Sequence, residues 1–350
     1  MTQEFLGERA RRLLKALIQE YIQTGEPVGS RRLSRLSEEG LSAATIRNIM
    51  SDLEEGGFVS QPHPSAGRLP TEKGYRFYVD ALLEKASLSR RDMSEISRTL
   101  KAGDPGTSDL MSRASHVLSA VSNNVGFVVA PRISEVVVKH IQFFRLGDRR
   151  VLVVLVGESG IVQNRVVHVD DDMGQQELDF TSRYMVANFA GFTLPYIRRR
   201  LVELMREEKA LYDKLLQKAL KLGSAGCTDD NEGSEENVFV EGTSRLMRNP
   251  EFADVRRMIE IFEMFEQKSH LVKIISECIH GDAGRAHVTI GLESAASGAG
   301  NFAMVASPYM YKNHFAGSLG VLGPMRMEYA RAIPLVDYVT KVFEGILNRN

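Results

Sequence analysis

Apolar residues recur at helical spacing from the beginning of the chain. Leu13, Leu14, Leu17, Ile18, Tyr21 and Ile22 mark one face of a helix over residues 9–23, and Gly25 with Pro27 stops it. A short second helix is predicted with Ser30 as its N-cap and Leu33 and Leu36 inward, and a third with Ser42 as its N-cap. In the third helix Ile46, Ile49, Met50 and Leu53 form one apolar stripe. At about 100° per residue the opposite face carries Ala44, Arg47, Asn48 and Ser51, with Thr45 at its edge. The pattern then changes to Gly56-Gly57, a strand-like run over 58–61 and the turn His63-Pro64-Ser65-Ala66-Gly67-Arg68.

Helix, turn, helix and ribbon, in that order, predict a winged helix-turn-helix that docks on DNA. The outward face of the third helix is small and polar, so it can approach base edges. The turn offers backbone amides, a Ser hydroxyl and a guanidinium, the groups needed to hold phosphate or enter a minor groove. Thr71 can cap a further helix, in which Tyr75, Phe77, Tyr78, Val79 and Leu82 read as core joining this unit to the rest.

Beyond a loop over 102–108 the periodicity becomes mixed. Strand-like runs occupy 126–130, 136–144, 151–156 and 161–169. A long helix is expected over 194–222, with Ile197, Leu201, Leu204, Leu211 and Leu215 in its stripe. Residues 223–237 are polar, acidic and rich in Gly and Ser, which predicts a loop. Another helical stretch carries Phe252, Val255, Met258, Ile259, Phe262 and Phe265. Strands at 287–292, 302–306 and 315–321 and a last helix over 334–347 follow. Strands, helices and strands again predict one α+β domain interrupted by a helical insertion.

Composition narrows the class of function. With 350 residues and 43% hydrophobic content, two or three domains are expected. No apolar run is long enough to cross a bilayer and no signal peptide is apparent, so a cytoplasmic protein with no membrane partner is expected. Cys227 and Cys278 are far apart, which supports neither a disulfide framework nor a thiolate metal site. Net charge is −1, and residues 1–85 hold twelve Lys and Arg against twelve Asp and Glu, so bulk charge does not point to nucleic acid. The distribution does. Arg31, Arg32, Arg35 and Arg47 lie on or near the two short helices and Arg68, Lys73 and Arg76 surround the turn, while the acids gather at Glu38-Glu39 and at Asp52, Glu54 and Glu55.

Catalytic motifs are not found. Gly298-Ala299-Gly300 lacks a third spaced Gly and a P-loop Lys, and Gly157-Glu158-Ser159-Gly160 suits a hairpin turn better than a nucleophile elbow. The eight His residues form no metal-binding pair, and Asp170-Asp171-Asp172 reads as a solvated helix start. No enzyme, cofactor or metal is expected.

Several stretches resemble the heat-inducible transcription repressors called HrcA. They are Gly25-Glu26-Pro27-Val28-Gly29-Ser30, Leu41-Ser42-Ala43-Ala44-Thr45-Ile46-Arg47-Asn48, and Gln61 through Arg68 continuing over Pro70 to Asp80. A later match runs from Gly317 through Gly323-Pro324-Met325-Arg326 to Tyr329. The resemblance implies an α+β multidomain fold: a winged helix at 1–85, a discontinuous GAF-like domain at 86–147 and 248–350, and an inserted dimerisation domain at 148–247. It also implies an inverted-repeat operator, CIRCE, upstream of chaperone operons, and modulation by the chaperonin GroEL. The expected DNA contacts are Ser30, Arg31, Arg32, Ser42, Thr45, Arg47, Asn48, Ser51, His63, Ser65, Gly67, Arg68 and Lys73. Leu201 and Leu204 are the expected homodimer contacts on the long helix. The rival expectation is a metabolite-responsive winged-helix regulator, because GAF-like folds often enclose a small ligand.

Overall fold

The computed structural model describes residues 6–37, 40–83, 87–103, 106–130, 136–158, 162–169, 172–207, 238–247, 285–291, 302–311 and 314–349. The three predicted N-terminal helices form as α1 (Glu8–Thr24), α2 (Ser30–Leu36) and α3 (Ala43–Glu55). Their apolar stripes bury Leu13, Leu14, Leu17 and Ile18 against Leu33, Ile46, Met50 and Leu53. Each fully buried Leu or Ile side chain contributes about 1.5–3 kcal/mol, so these stripes fix which face of α3 is left outward. Gly25 ends α1 in the left-handed region at φ 69, donating its N–H to Tyr21 O at 2.8 Å. Ser42 caps α3 as expected, its Oγ accepting from Thr45 N at 3.1 Å. Ser30 does not cap α2: Gly29 holds the N-cap position, and Ser30 is the first helical residue.

After α3 the chain forms a two-stranded ribbon, β1 (Val59–Ser60) and β2 (Leu69–Pro70), with Val59 opposite Pro70 and Ser60 opposite Leu69. Val28 adds an antiparallel bridge to Arg68. Thr71 caps α4 (Glu72–Phe77), accepting from Gly74 N, and donates its hydroxyl to Gly57 O at 2.6 Å. A π-helical turn, Tyr78–Leu82, continues from α4.

The remaining elements are α5 (Arg90–Leu100), α6 (Thr107–Ser122), β3 (Val125–Val129), β4 (Val138–Gly147), β5 (Arg150–Gly157) and β6 (Val162–His168). Then come α7 (Gln175–Phe189), α8 (Leu194–Glu207), β7 (Val238–Glu241) and α9 (Thr243–Met247). β8 (His287–Ile290), β9 (Phe302–Tyr311), β10 (His314–Pro324) and α10 (Tyr329–Leu347) complete the elements among the described residues. The last helix starts before Pro334, which sits in its second turn and removes one helical hydrogen bond without ending the helix. The predicted continuation of α8 over 208–222, the loop over 223–237 and the helical stretch around Phe252 to Phe265 lie outside the described residues.

Strand pairing makes two antiparallel sheets besides the ribbon. One has five strands in the order β7-β3-β10-β9-β8, and the other is the meander β4-β5-β6. This pairing runs across both expected domain limits. β4, ending at the limit of 147, hydrogen-bonds with β5 on its far side, and β7, inside the expected insertion, pairs with β3 of the five-stranded sheet.

Two apolar cores follow the same division. The first is continuous from α1 and α3 through Tyr75 and Tyr78 into α5, α6, the five-stranded sheet and α10. Tyr75 and Tyr329 meet with ring centroids 6.2 Å apart, and Arg76 donates to Ile290 O at 3.1 Å. The guanidinium of Arg326 lies at the C-terminal end of α1, donating to Ile22 O at 3.5 Å, where a cation complements the helix dipole. The aromatic stretch after Thr71 is therefore core between units, as its periodicity predicts.

The second core lies between one face of β4-β5-β6 and helices α7 and α8. The buried Ser182 hydroxyl accepts from Phe143 N–H at 3.0 Å and donates to Leu178 O at 2.9 Å, tying α7 to β4. Asp172 is not a helix start. It forms a two-point pair with Arg145, and the Glu177 carboxylate accepts from Gly174 N at the start of α7.

Candidate nucleic-acid interface

The packing of Ile46, Met50 and Leu53 leaves Ala44, Thr45, Arg47, Asn48 and Ser51 exposed on α3. Among the described residues no hydrogen bond or ion pair engages the Arg47 or Asn48 side chain. The guanidinium and the amide are thus available to make paired hydrogen bonds in one plane, the geometry that reads guanine and adenine edges. Ser42 and Thr45 are partly committed: their hydroxyls lie 3.0 Å apart at the N-cap. Exposed acids Asp52 and Glu55 sit in the last turns of α3, away from its polar N-terminal half.

On α2, Arg31, Arg32 and Arg35 are exposed, and Ser30 is half-buried beside them. Arg32 Nε donates to Glu20 Oε1 of α1 at 2.8 Å.

The ribbon turn is held from its base. Gln61, which was not among the expected site residues, donates its side-chain amide to Pro64 O and Ala66 O, each at 2.9 Å. Ala66 N donates to His63 O at 2.9 Å. Pro62 and Pro64 have no N–H, so a turn built on them needs a donor from a side chain. A Gln immediately before a Pro-x-Pro turn is the sequence signal for it. His63 and Ser65 are exposed at the tip.

Three expected contacts have other work. Arg68 pairs with Glu54 at 2.8 Å with only 16% of its side chain exposed, so it clamps the ribbon to the end of α3 instead of facing outward. Gly67 is a close-approach position: a Cβ there would lie 2.4 Å from the backbone carbon of Val28. Lys73 is exposed, yet its Nζ donates to Gly56 O at 2.9 Å and lies 4.6 Å from the Phe58 ring centroid. Arg68 and Lys73 hold the ribbon and α4 against the end of α3, and Gly67 lets the turn pack on the Pro27–Val28 backbone.

The expected dimer contacts also face inward. Leu201 is fully buried in the second core and Leu204 is half-buried against it, because the apolar stripe of α8 covers its own sheet. The open surface of that unit is the other face of the sheet. Phe144, Leu152 and Val166 form one cross-strand row there, Gln142, Val154 and Asn164 the next, and His140, Val156 and Val162 a third. Phe144, Val162 and Val166 are exposed at 43%, 62% and 49%.

Among the described residues no three His, Cys, Asp or Glu side chains are grouped to hold a metal ion, and no helix is long and apolar enough to cross a membrane.

A family model described as the HrcA protein C-terminal domain matches residues 108–333. A protein of Geobacter sulfurreducens named heat-inducible transcription repressor HrcA is 40% identical over 98% of each chain. The chain belongs to the HrcA family. Family members of the same name from Syntrophobacter fumaroxidans, 37% identical over 98% of this chain and 97% of its own length, and Sorangium cellulosum, 38% identical over 95% of each, are similarly close. Membership makes the chain an HrcA-type transcription repressor of the stress response and not an enzyme. The fold also resembles a crystal structure described as a hypothetical protein, with a TM-score of 0.61, 19% identity and 99% of each chain covered.

Proposed function

We propose that this HrcA family repressor binds an inverted-repeat operator of the CIRCE type upstream of chaperone operons, as a homodimer whose activity depends on GroEL. In this reading residues 6–83 act as a winged helix, with α3 in the major groove and the 61–68 turn against the backbone or minor groove. The observation that carries it is the outward face of α3, where Arg47 and Asn48 stand exposed on a rigid helix among small side chains. The five-stranded sheet with α5, α6 and α10 serves as the GAF-like domain. The β4-β5-β6 unit with α7 and α8 is its insertion, running from after β3 to before β7.

The dimer surface in this reading is the outer face of β4-β5-β6 and not the α8 stripe. Monomers seldom leave this much apolar side chain exposed on one sheet face, and a second copy of the same face would cover it with self-matching rows. Joining two winged helices this way lets one protein engage two half-sites, which raises affinity without new contacts.

Dependence on GroEL has a folding rationale. β3 must pair with β7 and β10 across an intervening unit, and such long-range pairing is slow and leaves apolar strands open while it forms. When heat-damaged proteins occupy the chaperonin, less repressor reaches its paired fold and the operons are released. Footprinting the purified chain on DNA upstream of its organism's chaperonin operon tests the operator. Protection of two symmetric half-sites is expected, and protection that does not rise with GroEL and ATP after refolding overturns the chaperonin link.

A further inference from the structure

Glu20 is a buried acid in α1 whose role neither α1 packing nor the outward face of α3 explains. Its side chain is 9% exposed, against 56% for its partner Arg32 on α2. The contact is made through one edge only, from Arg32 Nε to Glu20 Oε1 at 2.8 Å. Among the described residues neither terminal nitrogen of Arg32 has a partner. The guanidinium is planar, so fixing Nε fixes the direction of the remaining N–H groups. Arg32 is in the first turn of α2, after Ser30 and Arg31, and its side chain is exposed.

We propose that Glu20 is a positioning residue for DNA binding: it holds Arg32 edge-on so that the terminal nitrogens of its guanidinium meet a backbone phosphate. This rests on the DNA-binding reading above. A free Arg side chain loses rotamer freedom when it takes up a phosphate, and a side chain already oriented loses less. Two opposed effects make the idea testable by sign. Through its charge alone, Glu20 repels DNA, so removing it should tighten binding. As a positioning residue, its removal should weaken binding.

The test compares the wild-type chain, Glu20→Ala, Arg32→Ala and the double variant on a mixed-sequence DNA duplex by fluorescence anisotropy across salt concentrations. Phosphate contact is sequence-independent, so no operator is required. For Arg32→Ala the slope of log affinity against log salt should become shallower by about 0.9 per binding unit. Glu20→Ala should weaken binding by about three- to tenfold, with the slope shifted the same way, and should add nothing in the Arg32→Ala background. Glu20→Ala binding as tightly as the wild type, or more tightly, or losing as much again without Arg32, overturns the proposal. A role limited to packing α1 on α2 would lower the melting temperature and leave the salt slope unchanged, which also overturns it.

Where Glu20→Ala does not fold, Arg32→Lys decides, because it keeps the charge and lacks the Nε–H edge. It should show the loss predicted for Glu20→Ala, and wild-type binding by a folded Arg32→Lys overturns the proposal. A wild-type chain that does not bind duplex DNA at low salt fails the DNA-binding reading itself, and this inference with it. A wild type that binds while the variants behave otherwise than predicted fails this inference alone.

Discussion

Two surfaces of this chain are open on one side and firmly backed on the other, and they differ in chemistry. The outer face of α3 is small and polar over a core of Ile46, Met50 and Leu53. The outer face of β4-β5-β6 carries Phe144, Leu152, Val156, Val162 and Val166 over a core of Ile141, Val153 and Leu155. Periodicity gives each element one inward face; it does not dictate what the other face must be. A polar open face is suited to a wet, charged partner such as DNA, whereas an apolar one is suited to being covered by protein. In the proposed reading the two faces take different partners, and variants on each should separate them.

The largest effect is expected on the apolar face. Leu152→Glu with Val166→Glu should give a folded monomer in analytical ultracentrifugation and reduce operator affinity by about 10²–10⁴-fold through loss of avidity. A double variant that remains dimeric would place the interface elsewhere. Leu201→Glu sharpens the same point from behind the sheet. It buries a charge in the second core, so it should unfold the unit in circular dichroism instead of releasing a folded monomer.

On the polar face, Arg47→Ala and Asn48→Ala should each cost about 1–3 kcal/mol on operator DNA and much less on random DNA. Equal losses on both DNAs would assign these side chains to phosphate. Gly67→Ala should destabilise the N-terminal unit by about 1–3 kcal/mol in denaturant unfolding, because its Cβ would press on the backbone of Val28. If instead Gly67→Ala leaves stability intact and lowers only DNA affinity, the glycine is a contact and not a spacer. The smallest effect is expected for Ser42→Ala, about 1 kcal/mol of stability, from loss of the cap that Thr45 N donates to.

The helices of the N-terminal unit were legible because their signals are local: a 3.6-residue period, a Ser at the cap of α3 and a Gly past the end of α1. The exposed positions of Arg47, Asn48 and Ser51 follow from that period alone. What Arg68 does was not legible. Its partner Glu54 is brought to it only when the ribbon folds back on α3, and no periodicity marks such a pair. The same limit applies to Leu201. Its stripe shows that α8 buries a face, but not whether the cover is its own sheet or another chain. Nor does periodicity show that β7 joins β3 across more than a hundred residues of chain. The long apolar run in β5 was read correctly as a strand. Such runs ordinarily imply cover on both faces, and among the described residues helices cover only one.

The core shared by the N-terminal helices and the five-stranded sheet has a mechanical consequence. Tyr75 against Tyr329, Arg76 on Ile290 and Arg326 at the end of α1 tie the N-terminal helices to the sheet unit at three points. Close-packed interiors transmit displacement instead of absorbing it. On the proposed reading, a shift of α10 relative to its sheet would therefore be passed on to α3 as a change of heading, like the jaw of a calliper moved from its far arm. In the proposed dimer, spacing tolerance between half-sites would then be set by the protein's stiffness, and inserting half a helical turn of DNA between them should turn one α3 away from its groove.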